Sequence, residues 1–89
     1  MVLDILRELN INETPEKIEE GYYAISFKDS NDYGKCYSKL EKSDLVDLDD
    51  DSSVVTYESS SLQYEGDGFE ITLIADFEAD TYKMTIKEN

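Results

Sequence analysis

The sequence predicts an α+β fold, with N-terminal helices packed on one face of a mainly antiparallel sheet of four or five strands that ends in a β-meander. Three observations carry this expectation. Val2, Ile5, Leu6 and Leu9 recur at i, i+3, i+4 and i+7, the spacing of a helix with one buried stripe. Tyr23, Ile25 and Phe27 alternate with Ala24, Ser26 and Lys28, the period of a strand. Finally, Phe69, Ile71, Leu73, Ala75 and Phe77 alternate toward one face, and Tyr82, Met84 and Ile86 do the same after a short polar break, as in a half-buried hairpin. With 89 residues, the chain has room for one core, so residues 1–89 form a single acidic domain.

Each element has its local reason. The first helix, Val2 to Leu9, turns Asp4, Arg7 and Glu8 outward and stops at Asn10 and Asn12. Thr14-Pro15 reads as an N-cap and first helical residue, with Glu16 favourable there, which predicts a second short helix ending near Glu20 before Gly21. Tyr22 to Lys28 is a strand, and Asp29-Ser30-Asn31-Asp32 breaks it with turn and cap residues.

For residues 31–42 two readings compete. Tyr33, Cys36, Tyr37 and Leu40 match a helix, with Asp32 at its positive end and Lys39 and Lys42 at its negative end, and this reading is preferred. A strand alternating Tyr33, Lys35, Tyr37 and Lys39 is the competitor, and Gly34 weakens both. In the helical case Tyr22–Lys28 and Val54–Glu58 are expected to pair in parallel across it. Otherwise the sheet is a five-stranded antiparallel meander behind the N-terminal helices.

Further along, Asp47 to Ser53 reads as a loop and Val54 to Glu58 as a strand. The apolar parity then changes from odd (Val55, Tyr57) to even (Leu62, Tyr64), so a bulge or bend is expected at Ser59-Ser60-Ser61. Glu65-Gly66-Asp67-Gly68 is a hairpin turn. A loop from Glu78 to Thr81 would then pair Phe77 with Tyr82, Ala75 with Met84 and Leu73 with Ile86.

Composition excludes much chemistry. Histidine and tryptophan are missing and Cys36 is the single cysteine, so no Ser-His or Cys-His pair, histidine-ligated metal, four-cysteine zinc site or internal disulfide can form. Cys36 has only Lys35 and Lys39 nearby to activate it and reads as a small buried side chain. Paired carboxylates, as in glycosidases, are unavoidable among 22 acids and carry no specificity. Asp47, Asp49, Asp51 and Glu58 stand at positions 1, 3, 5 and 12 of an EF-hand spacing, but Ser52 occupies the glycine position and Thr56 to Ser61 is poor helix material. No catalytic residues, metal or cofactor are expected. The seven tyrosines read mainly as packing, because nucleobases would bring phosphates against a net charge of −14.

That charge is concentrated. No base lies between Lys42 and Lys83, while Ser43 to Tyr82 hold twelve acids. The remaining residues hold eight bases and ten acids. Duplex DNA carries one charge per roughly 1.7 Å of axis, so twelve charges match about 20 Å of duplex. In size, acidic tract and missing catalytic residues the chain resembles the small acidic DNA-mimic inhibitors that phages and mobile elements direct against restriction, repair or CRISPR nucleases. The resemblance implies a non-enzymatic protein that occludes a basic nucleic-acid-binding site on a partner protein. An acidic immunity or interaction module, binding a basic protein unrelated to nucleic acid, is the alternative. The expected contact residues are Asp47, Asp49, Asp50, Asp51, Glu58, Glu65, Asp67, Glu70, Asp76, Glu78 and Asp80. Nucleic acid and anionic membranes would be repelled directly. With no apolar run of membrane-spanning or signal-peptide length, the expected compartment is the cytoplasm, that of a host cell if phage-encoded.

Overall fold

A computed structural model describes residues 2–89. Helix α1 (Val2–Glu8) buries Val2, Ile5 and Leu6 and leaves Asp4 and Arg7 outside. It unwinds at Asn10, whose φ of 59° reverses the chain so that Ile11 also enters the core. Helix α2 (Ser30–Lys42) settles the competition at residues 31–42. Asp29 caps it by accepting a hydrogen bond from the Asp32 amide at 3.0 Å, and Cys36 and Leu40 are buried beneath it. The strands are β1 (Glu16–Glu19), β2 (Tyr22–Ser26), β3 (Val46–Leu48), β4 (Val54–Val55), β5 (Ser59–Gly66), β6 (Phe69–Asp76) and β7 (Thr81–Glu88). They form one antiparallel sheet in the order β1-β2-β7-β6-β5-β3, with β4 also on β5.

The α+β class and the closing meander are as expected, but the strand count is seven, and several local expectations are corrected. Residues 16–19 form a strand, not a helix. Four exposed residues cannot offset helix nucleation, whereas the edge of β2 supplies ready backbone partners. Gly21, at φ 75°, turns β1 into β2 instead of capping a helix. The second helix therefore lies between β2 and β3. It carries the chain to the far side of the sheet, and the parallel neighbours expected across it do not occur. β2 and β3 run in the same direction, but β7, β6 and β5 lie between them. The place beside β2 is taken by β7, which sets Ile86 against Tyr23 and Met84 against Ile25.

The serines at 59–61 hold no bulge. Val54 and Val55 pair back onto Ser61 and Ser60, so the parity change marks a separate hairpin closed by the Thr56 amide donating to the Ser59 carbonyl at 2.7 Å. Val46 to Leu48, taken partly into the expected acidic loop, pair with Gly66, Glu65 and Tyr64 as a strand.

The last hairpin has the expected core face and a different register. Ala75 pairs with Tyr82, Leu73 with Met84 and Ile71 with Ile86, a slip of two residues. Such a slip keeps every side chain on its face, which is why alternation alone does not detect it. Turn chemistry sets the register instead. The Asp76 carboxylate accepts from the amides of Glu78 and Ala79 at 3.1 and 3.0 Å, and Asp80 adopts φ 54°. Phe77 leaves the sheet and is half exposed, its ring edge-on to Tyr82. At the other end of β6, Gly68 turns with φ 84°. The Phe69 ring lies over Gly66, where a Cβ would come within 2.2 Å of it.

All the large buried side chains belong to one core. α1 and α2 contribute Val2, Ile5, Leu6, Cys36 and Leu40, and the sheet contributes Ile25, Tyr64, Ile71, Leu73, Met84 and Ile86. The helices thus claim one face of the sheet. The opposite face carries the intervening residues of each strand and is mostly polar, with Ala24, Val54 and Ile74 among them.

Candidate acidic interface

Register converts a count of acids into positions. On the polar face one cross-strand row runs Tyr22–Lys87–Glu70–Glu65–Asp47, each residue opposite the next on β2, β7, β6, β5 and β3. Adjacent strands lie about 4.8 Å apart, so three carboxylates stand side by side where like charges destabilise a sheet. Asp67, in the turn between β5 and β6, is at the same end. Toward the middle, Asp49, Asp50 and Asp51 line the outer edge, tied to β5 by the Asp49 amide donating to the Gln63 carbonyl at 2.8 Å. Glu58, Asp76, Glu78 and Asp80 gather at the opposite end, where the Phe77 amide donates to the Glu58 carbonyl.

The expected contact residues do not converge on one end of the meander. The turns holding Asp67 and Glu78 close opposite ends of β6, eight residues and about 24 Å apart. Instead the acids follow the β3–β5–β6 side of the sheet along its length. Asp49 and Asp76 also have structural tasks, since Asp49 caps the 3-10 turn Asp50–Ser52 and Asp76 builds the β6–β7 turn. Nearly all the others are exposed, Glu70 being half-buried.

Among the described residues, the ion pairs are Lys17–Glu20 at 2.8 Å and Arg7–Asp4 at 3.8 Å, both outside this region. No lysine or arginine nitrogen of the described residues lies within 4.0 Å of a carboxylate between β3 and β7. Lys83 and Lys87 on β7 bound the acidic side. Beside them a shallow depression of about 290 Å³ is lined by Glu19, Tyr22, Glu70, Thr72, Thr85 and Lys87, an open groove of mixed charge.

Unneutralised acids at this density repel one another, and salt screens such repulsion over roughly 8–10 Å. The melting temperature is therefore expected to rise between low and moderate NaCl. A flat or falling profile in thermal unfolding would mean that the acids are compensated. Calcium and magnesium are expected to act alike. The EF-hand spacing folds as β3, a 3-10 turn and the β4–β5 hairpin, with no exit helix, and no three potential metal-ligating side chains converge among the described residues. A saturable rise specific to calcium would restore a site at Asp47, Asp49, Asp51 and Glu58.

Cys36, on the buried face of α2, has its Sγ 3.5 Å from the Met84 sulfur. Burial pushes its thiol from the ordinary 9.0 up to about 12. Because the folded value is the higher one, the stability it contributes is complete below pH 9 and lost as pH rises from 9 toward 12. Tyr64, buried with its hydroxyl donating to Glu41 at 2.7 Å, is pushed up in the same direction by burial and by that carboxylate. Stability against pH is expected to hold to about pH 9 and then fall. Cys36→Ala, measured by denaturant unfolding, should flatten the early part of that fall. An unchanged profile in the variant would remove the thiol from the account.

Sequence reasoning missed an apolar feature in the same region. Val54 and Val55, read as part of a half-buried strand, are 59% and 68% exposed, and Tyr57 is 99% exposed. The available signal was the two-valine run separated only by Ser52-Ser53 from the five acids within Asp44 to Asp51.

Compared with known proteins, the chain matches no family model, no curated protein and no solved structure. No helix among the described residues is long and apolar enough to cross a membrane.

Proposed function

We propose that this protein is a non-enzymatic acidic inhibitor that mimics DNA or RNA and occludes the basic nucleic-acid-binding site of a partner protein, as an anti-defence or anti-CRISPR inhibitor of a phage would. The observation that carries this reading is the run of carboxylates along β3, β5 and β6 with no basic side chain in ion-pair range among the described residues. A duplex segment about 24 Å long presents roughly 14 phosphate charges, and the eleven acids occupy a similar length. A surface of this density steers a basic groove into contact quickly and in a salt-dependent way. Retaining like charges directly opposite one another at Asp47, Glu65 and Glu70 costs stability, which is consistent with a surface kept for binding.

Affinity capture from the native host, followed by competition with duplex DNA and RNA, tests the reading. A mimic and nucleic acid must exclude each other from the captured protein. Simultaneous binding of both would leave the alternative, an immunity or interaction module for a basic protein unrelated to nucleic acid.

A further inference from the structure

The proposed surface has an uncharged corner. β4 is a two-residue edge strand whose two side chains point to opposite faces of the sheet, Val54 with Ser61 and Val55 with Ser60. A surface strand normally exposes one polar face, yet both valines here are more than half exposed. Tyr57 at the hairpin tip is almost fully exposed, and half-exposed Phe77 donates its backbone amide to the carbonyl of Glu58, the residue after Tyr57. Among the described residues Val54, Val55 and Tyr57 are left largely uncovered, and Phe77 keeps an edge-on contact with Tyr82. Asp50 and Asp51 approach the corner from one side, with Glu58 and Glu78 at its other end.

We infer that this corner is the apolar anchor of the interface, with the edge strand β4, carrying Val54 on one face and Val55 on the other, and Tyr57 at its tip gripped between the apolar walls of a cleft framed by lysine or arginine on the partner protein. Charge selects the occupant. A second copy of the chain would set Asp50, Asp51 and Glu58 against their like, with a net charge of −14 on each molecule. Nucleic acid and anionic lipid meet the same repulsion. A basic protein surface satisfies both the acids and the apolar side chains. Tyrosine at the centre of a contact is a frequent binding hot spot, and surrounding charges that exclude water complete the arrangement. The inference rests on the acidic-interface reading and adds to it that recognition is not by charge alone.

The test uses two synthetic peptides of equal length and lysine content, one interspersed with leucine and phenylalanine and the other with serine and glycine. Calorimetry at low and at moderate salt is expected to give about tenfold tighter binding of the apolar-basic peptide at each salt concentration, with both affinities falling as salt rises. The combined variant Val54→Ser, Val55→Ser, Tyr57→Ser should lose that difference while binding the polar-basic peptide as the parent does. These residues are exposed, so an unchanged melting temperature confirms that the variant is folded. Equal affinity of the parent for both peptides, or a preference that survives the triple variant, overturns the anchor and leaves the acidic reading intact. Binding of the apolar-basic peptide alone, insensitive to salt, overturns the acidic reading and leaves an apolar contact. Binding of neither overturns both.

Discussion

Leu73→Ala is expected to destabilise the protein by about 2–5 kcal/mol, the range for truncating a packed leucine whose surroundings relax only partly. Leu73 is fully buried at the middle of β6, between Leu62 on β5 and Met84 on β7. A domain of this size has stability on the order of 5–10 kcal/mol, so the variant loses a large part of it. Denaturant unfolding measures the difference directly. A loss below about 0.5 kcal/mol, typical of surface positions, would place Leu73 outside the core.

Glu65→Lys is expected to move stability and binding in opposite directions. Glu65 stands between Glu70 and Asp47 on the polar face, directly opposite both. Lysine there exchanges two like-charge contacts for two favourable ones, each worth roughly 0.2–1 kcal/mol. The melting temperature should therefore rise. Affinity for a basic partner should fall at the same time, mainly through a slower association rate, because the variant shifts the local charge by two and breaks the acidic row. The same reversal at Asp67, which has no opposed acid across a strand, should weaken binding with little thermal gain. Reversal of Glu16 or Glu19, on the far edge strand β1, should alter binding much less. Equal losses from both regions would mean that only net charge matters and that the row has no special place. A lower melting temperature for Glu65→Lys would show that the opposed carboxylates are already neutralised.

How far the fold was legible follows from what alternation and turn chemistry each encode. The buried face of Leu73, Ala75, Met84 and Ile86 was readable because period-two patterning specifies faces. The pairing of those residues was not, because a slip of two preserves faces and the choice rests on Asp76 reaching two backbone amides in the turn. Helix α2 was readable from its spacing, with Asp29 in capping position, despite Gly34. Residues 16–19 were not, since they bury nothing and take their conformation from β2, an influence that local propensity does not contain. Val55 and Tyr57 were assigned by parity to the buried face of a strand, but the strand ends at Val55 and both side chains are exposed.

The acids show the same division. Their concentration between Lys42 and Lys83 is plain in the sequence, and so is their exposure. Their arrangement required strand register. The row Asp47–Glu65–Glu70 draws on three strands, and the turns at Asp67 and Glu78 lie at opposite ends of β6. Two expected contact residues, Asp49 and Asp76, hold turns together, so their substitution should disturb folding as well as binding.

Competition between this protein and nucleic acid for one captured partner tests the central proposal most directly. With the partner bound to a labelled duplex at fixed salt, increasing concentrations of the protein are expected to release the duplex completely, and Glu65→Lys should require more protein to do so. A ternary complex of partner, duplex and this protein, persisting at saturation, would contradict the proposed mimicry.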